Sequence, residues 1–367
     1  MTDATRSPVR WSPFAASLAT ALAALIGTLS DLHAADDILI YRGADRDARI
    51  LAGAQKEGQV IFYSTMIANQ ALRPLTEAFN KKYPQVKMSY WRAPQEDIMQ
   101  KINAEYRANN MVGDVIAGTG IGEMSIESGI AQPYFVPALE QYPKSYHDPQ
   151  GRWTPTNLYY YGVAVNTKLV AAKDAPKTFD DLLDPKWKGK MAWRVGELTG
   201  APLFISNLRT AWGEERALAY LSKLKGQNII NFGSGSARTL VDRVMAGEYP
   251  IALNIYANHP LISAGKGAPV TTQLLDPIPS SASTMVIPKN APHPHGAMLL
   301  ADYILSKEGQ GILAKAEYYP AHPEVAALPE MQAVVPRVAG VPENFLGPDR
   351  FLGYAVTSEK IYQDMFK

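Results

Sequence analysis

The chain has 367 residues, enough for two domains of ordinary size with a core in each. Hydrophobic residues make up 47% and charged residues 19%, the balance of a water-soluble globular protein. A net charge of +1 leaves no basic surplus to neutralise phosphates, which argues against a nucleic-acid binder.

At the N-terminus Arg6 and Arg10 precede a mostly apolar run from Phe14 to Leu29, and small residues follow in "LHAAD". This is the layout of a secretory signal peptide, with cleavage expected after Ala34 or Ala35, and the run is short for a membrane span. Cysteine is absent, so neither a disulfide framework nor a lipoprotein anchor is available. The expected product is a free periplasmic protein.

From Asp36 onward strand and helix patterns alternate. Ile38 to Tyr41 reads as a short strand, Asp45 to Lys56 as a helix, and Val60 to Thr65 ("VIFYST") as a buried strand rich in β-branched and aromatic residues. Leu72, Leu75, Phe79 and Tyr83 recur at helical spacing up to Pro84, "VKMSYW" is a strand, and Ile98, Ile102 and Tyr106 mark the next helix. Asp114 to Gly118 then completes a βαβαβ order, which implies a mainly parallel sheet with helices on its faces. An irregular Pro- and Tyr-rich crossing follows, then the strand "LYYYGVAVNT". Thr178 and Asp181 form a near capping box, Met191 to Arg194 is a strand, and Pro202 to Lys225 reads as one long helical region. "IINFGSGSARTLVDRVMAGEYPIALNIYANHP" is strand, glycine turn, helix and strand, with Ser236 as N-cap; a second crossing leads to terminal helices.

Parallel sheets bind ligands beyond the carboxyl ends of their strands. Ser64-Thr65 and Thr119-Gly120 sit at two such ends, each offering a hydroxyl and helix-opening N–H groups suited to an anion. "GTGIGE" lacks the G-x-G-x-x-G spacing, and no phosphate-loop motif occurs, so the glycines carry no nucleotide fingerprint. They are either a ligand-contact surface or a tight turn.

Several stretches, in order, resemble the extracellular solute-binding proteins of ABC importers: "GQVIFYSTMIANQALRPLTEAFNKKYPQVKMSYWRA", "GDVIAGTG…ESGIAQPY", "PKTFDDLLDPKWKGKMAW", "MAGEYPIAL" and "VIPKNAPHPHGAMLLADYILSKEGQGILAK". The likeness is greatest to the branch of ferric-ion and phosphonate binders. It implies an α/β, two-lobe type 2 periplasmic binding protein fold, each lobe a mainly parallel sheet flanked by helices, joined by crossing hinge strands and closing on a small-molecule ligand. Residues 36–137 and 270–315 are assigned to lobe 1, and 138–269 and 316–367 to lobe 2. The implied partner is an ABC permease in the inner membrane; a monomer without cofactor is expected.

Ferric binders of this branch hold the metal with two adjacent tyrosines at a strand end, where this chain has "IALNIYANHP". Only Tyr256 is present there, beside Ala257, and one phenolate among amides suits a hard ferric ion poorly. Other tyrosine pairs occur at 159–161 and 318–319, from which Tyr160 or Tyr319 would supply a second phenolate if iron were bound. An organic anion fits better. Ser64, Thr65, Thr119, Gly120, Thr199, Gly200, Gly235 and Ser236 offer helix-start donors, and Arg194 a bidentate anion contact or a surface ion pair. Tyr160 and Trp193 are stacking surfaces or core. With no G-x-S-x-G, no cysteine and no close zinc-binding histidine pair, an enzyme is not expected.

Overall fold

The computed structural model describes residues 37–195, 199–233 and 235–367. The expected signal segment, Gly196 to Leu198 and Ser234 lie outside them.

The first unit is α1 (Arg46–Glu57), β1 (Gln59–Ser64), α2 (Arg73–Lys82), β2 (Lys87–Arg92), α3 (Gln95–Arg107), β3 (Val115–Thr119) and α4 (Ile121–Glu127), with β1 parallel to both β2 and β3. Alternation along β1 builds two cores, one on each sheet face. Phe62 packs with Leu72, Leu75 and Phe79, while Tyr63 turns the other way to Ile98, Ile102 and Ile116. Fully burying each such side chain is worth about 1.5–3 kcal/mol. Ile38 to Tyr41, expected as a strand, is a turn: the Asp37 side chain accepts from Leu39 N at 3.0 Å and its carbonyl from Ile40 N at 3.1 Å, a local pairing that competes with a ladder. Arg46 ties α1 to later chain by donating to both carboxylate oxygens of Asp302, at 2.8 and 3.0 Å, and to Phe135 O at 2.7 Å.

The chain continues through β4 (Thr154–Asn166), β5 (Met191–Trp193), α5 (Ala201–Trp212), α6 (Glu214–Leu224), β6 (Ile230–Asn231), α7 (Ala237–Ala246), β7 (Ile251–Tyr256), α8 (Asn258–Gly265), β8 (Val270–Gln273) and β9 (Ile278–Val286). The helical region expected at 202–225 is two helices, because Gly213 at φ +83 and ψ 161 breaks it. Thr178 and Asp181 do form the capping pair: Asp181 N donates to Thr178 Oγ1, and Asp181 Oδ2 accepts from Thr178 N. It opens a short 3-10 turn.

The sheet runs β2-β1-β3-β9-β4-β7-β5-β6, and β4 joins its halves. The first half of β4 pairs antiparallel with β9, the second with β7 and β8. At the change of partners Gly162 is obligatory, since a Cβ there would lie 2.8 Å from Gln273 O. Past it, Val163 and Val165 face Trp193 and Phe204 in one core, while Ala164 faces Leu240 and Val244 in another.

The chain then returns to the first half through α9 (Pro294–Leu305), α10 (Lys307–Lys315), β10 (Tyr319–Pro320), α11 (Pro336–Ala339) and β11 (Glu343–Phe345), β10 pairing with β4 and β11 with β9. Tyr319, Met331 and Val334 sit in the core of Phe62. Only α12 (Pro348–Phe366) goes back across, where Ser206 and Arg209 of α5 bond to Ser358 at 2.8 and 2.9 Å. No helix among the described residues is long and apolar enough to cross a membrane.

Candidate functional site

A cleft of 320 Å³ opens where the strand ends of the two halves meet, lined by Thr65, Arg92, Gln95, Thr119, Tyr159, Thr199, Tyr256 and Phe351, among others. Each side is built by the same rule: a parallel strand ends and its side chain or following loop faces the gap. On the first side Thr65 follows β1, held by its N–H to Ala117 O at 3.2 Å; Arg92 ends β2 and Thr119 ends β3. Gly120, at φ +75, turns the chain into α4. Not all N–H groups there are open, because Gly122 N donates to Thr284 Oγ1 at 2.9 Å. Ser64 is fully buried and its hydroxyl accepts from Met66 N, so it braces the turn behind Thr65.

On the second side β7 ends at Tyr256, and Asn254, at φ +51, donates to the carbonyls of Thr199 and Gly200 at 2.9 and 3.0 Å. Arg194 is 3% exposed and donates to Thr199 Oγ1 at 2.7 Å, so it props the loop carrying Thr199 from behind. Burial holds its guanidinium below the ordinary value, and Tyr256 and Tyr161 act against that shift. Gly200 has no room for a side chain: a Cβ would lie 2.3 Å from Arg194 O.

Tyrosines form the wall between the two sides. The Tyr256 ring lies 5.2 Å from Tyr159 and 5.1 Å from Tyr161, and 5.3 Å from the His259 ring. Burial pushes the Tyr159 phenol well up, while its bonds to Asn157 and Thr119 oppose this. Burial likewise raises Tyr318, whose hydroxyl accepts from Ile67 N at 3.2 Å and which Arg92 pulls back down. His259 is depressed to about 4, first by burial and then by Arg238 and Arg194. It is therefore neutral at physiological pH.

Four of the residues singled out from sequence, Thr65, Thr119, Thr199 and Tyr256, come together here, with Gly120, Gly200 and Arg194 behind them. The others do not line the cleft. Tyr160 points to the opposite face of β4 and packs on Tyr319 with centroids 4.8 Å apart. Trp193 is fully buried between Phe204, Tyr362 and Phe366, its indole N–H on Asn231. Ser236 spends its hydroxyl capping α7 through Thr239 N, and Gly235 abuts the Phe232 ring. Arg92, Gln95, Tyr159 and Phe351 escaped the sequence reading. Arg92 carried a usable signal, since it closes a parallel strand; Phe351 comes from the far C-terminus and carried none. Among the described residues no cluster of three His, Asp or Glu is arranged to hold a metal.

The family described as bacterial extracellular solute-binding protein matches residues 111–338, and the chain belongs to it. It is thus a solute-binding protein of the extracytoplasmic compartment. Among individual relatives, it is 24% identical over 323 residues to iron uptake protein A1 of Synechocystis, 84% of this chain and 88% of that one. The Trichodesmium protein IdiA (FutA), in complex with iron and citrate ligands, superposes with a TM-score of 0.72 at 20% identity, covering 84% of this chain and 99% of the other. The periplasmic binding protein AfuA of Actinobacillus pleuropneumoniae, with fructose-6-phosphate bound, does so with a TM-score of 0.64 at 23% identity, covering 84% and 99%.

Proposed function

We propose that this chain is the periplasmic component of an ABC importer and captures a small organic anion between two lobes that close like a hinge. The observation that carries the reading is the meeting of Thr65, Thr119 and Arg92 from one half with Thr199 and Tyr256 from the other. Arg92, half-solvated hydroxyls and helix-start N–H groups favour a negative group, against which the exposed, solvent-screened Glu96 in the same lining acts only weakly, and the Tyr256 and Phe351 rings favour an organic body. The fructose-6-phosphate in AfuA supports that chemistry. We take the lobes to be 37–162 with 278–345, and 163–273 with 346–367, so that β8 joins the second lobe while residues 138–162, with the half of β4 paired to β9, and the segment after α10 join the first. The protein acts as a monomer, catalyses no reaction and hands its ligand to an inner-membrane permease.

A ligand bridging the lobes binds the closed form preferentially and stabilises the fold by about 2.7 kcal/mol at a hundredfold excess over its dissociation constant. A thermal-shift screen of phosphonates, carboxylates and sugar phosphates tests this. Export is tested by intact mass of the periplasmic form, which should lack the first 34 or 35 residues; a precursor that keeps Met1 in the cytoplasm contradicts it.

A second reading, ferric binding, draws on the iron named for two relatives and on the tyrosines flanking Tyr256. Here the second phenolate would come from Tyr159 or Tyr318, since Tyr160 and Tyr319 face away. Ferric tyrosinate is coloured, so protein loaded with ferric citrate separates the readings; the organic-anion reading expects it colourless.

A further inference from the structure

A second cavity, of 160 Å³, lies on the far face of β4 from the cleft, lined by Tyr146, Leu158, Tyr160, Tyr319, Arg337 and Glu343 among others. Its chemistry is specific in three respects. The Tyr319 hydroxyl, in a residue 2% exposed, has no hydrogen-bond partner among the described residues, so its donor and acceptor capacity is unspent. Glu343 accepts from Tyr146 Oη at 3.0 and 3.2 Å and from Ser280 Oγ at 2.5 Å, yet among the described residues it has no cationic partner. The floor is aromatic, with Tyr160 and Tyr319 at 4.8 Å and Tyr146 packed at 4.7 Å on Phe345.

A half-buried carboxylate facing electron-rich ring surfaces attracts a positive charge. The opposing group is Arg337. It is exposed, so solvent and salt screen its charge, and it is tethered by Nη1 to Pro323 O at 2.7 Å. We propose that this cavity is a second binding site, separate from the cleft, for a small primary ammonium compound. The ammonium donates to Glu343 Oε2 and to the orphan Tyr319 oxygen, and the alkyl part rests on Leu158, Val325 and Ala327. Alternation along β4 makes the two sites neighbours: Tyr159 and Tyr161 face the cleft tyrosine while Tyr160 floors the cavity.

The test uses the mature full chain and three probes of similar shape: n-butylammonium, n-butanol and butyrate. Titration followed by calorimetry and by NMR of 13C-labelled tyrosine rings should show butylammonium binding at about 1 mM, the range expected of so small a ligand. Ring shifts should centre on Tyr160 and Tyr319, with Tyr159 and Tyr256 unmoved. Butanol should bind at least about tenfold more weakly for want of the charge, and butyrate not at all. Glu343→Gln should weaken butylammonium about tenfold. Ala327→Met, which fills the cavity from its apolar wall and keeps Glu343, should abolish binding in a protein whose near-UV circular dichroism is unchanged. Equal binding of butanol, shifts at the cleft tyrosines instead, undiminished binding to the Ala327→Met protein, or no saturable binding of butylammonium would each overturn the proposal.

Discussion

Replacing Gly200 by Ala perturbs the second side of the cleft by a single methyl. The backbone there, at φ −89 and ψ −127, is not left-handed, and close contact carries the cost. The added carbon would lie 2.3 Å from Arg194 O, 2.8 Å from Arg194 C and 3.1 Å from its Cβ. The carbonyl oxygen cannot retreat freely, because it accepts the Ala201 N–H at 2.8 Å at the start of α5, and Gly200 O is itself held by Asn254. Overpacking against backbone costs about 1–3 kcal/mol, and the fixed neighbours here put the expected loss in the upper half of that range. The displacement should pass to Thr199, one residue away, and weaken ligand binding as well. Gly311 is the control: it lies within α10 with nothing inside 4 Å of its would-be Cβ, so Gly311→Ala should stabilise by about 0.5–1 kcal/mol through helix propensity and leave binding alone. Urea unfolding midpoints, together with ligand titrations of both variants, check this. A Gly200→Ala protein as stable as the parent and equal in affinity would refute the close-contact argument.

Tyr256→Phe should weaken an organic ligand by about 0.5–1.5 kcal/mol, one neutral hydrogen bond, as read by calorimetry. Arg194→Ala removes the donor that holds Thr199 Oγ1 from behind and should weaken binding indirectly, by on the order of 1–2 kcal/mol; an unchanged dissociation constant would contradict that role. Arg46→Ala leaves the part-buried Asp302 and Phe135 carbonyl without their donor and should lower stability by about 1.5–3 kcal/mol in chemical denaturation, with binding by the refolded protein retained. His259 makes stability depend on pH with a defined sign. Its folded-state value of about 4 lies below the ordinary 6.5, so in that window the unfolded chain binds the extra proton and stability falls as pH drops, by on the order of 3 kcal/mol in all. His259→Gln should flatten the slope between those limits, and an identical slope would remove His259 as its cause.

Much of the fold was legible because periodicity is local. β1, α3 and α7 announce themselves by spacing, and the Thr178 pair by its own side chains. What spacing cannot supply is phase and partner. The run at 159–161 reads correctly as a strand, yet nothing in three successive tyrosines says which face meets the cleft, and choosing Tyr160 put the wrong one forward. Trp193 follows the same logic: it ends a strand near the ligand side, but α12, more than 150 residues later, covers it. Ile38 to Tyr41 has strand composition without a neighbouring strand, and the Asp37 turn prevails. Thr65, Thr119 and Thr199 could be found because the carboxyl-end rule needs only strand direction. Arg92 obeys the same rule, and Phe351 reaches the cleft through tertiary packing alone.

The central claim is that an organic anion, bridging strand ends from both halves, closes the protein. It is tested most directly by stripping the mature chain of ligand through unfolding and refolding, then measuring melting temperature and small-angle scattering with fructose-6-phosphate, phosphonates, carboxylates and ferric citrate. The account predicts that at least one organic anion raises the melting temperature and contracts the particle, with ferric citrate leaving it colourless. A coloured ferric complex that loses its colour in the Tyr256→Phe variant, with no organic anion producing either change, would contradict it.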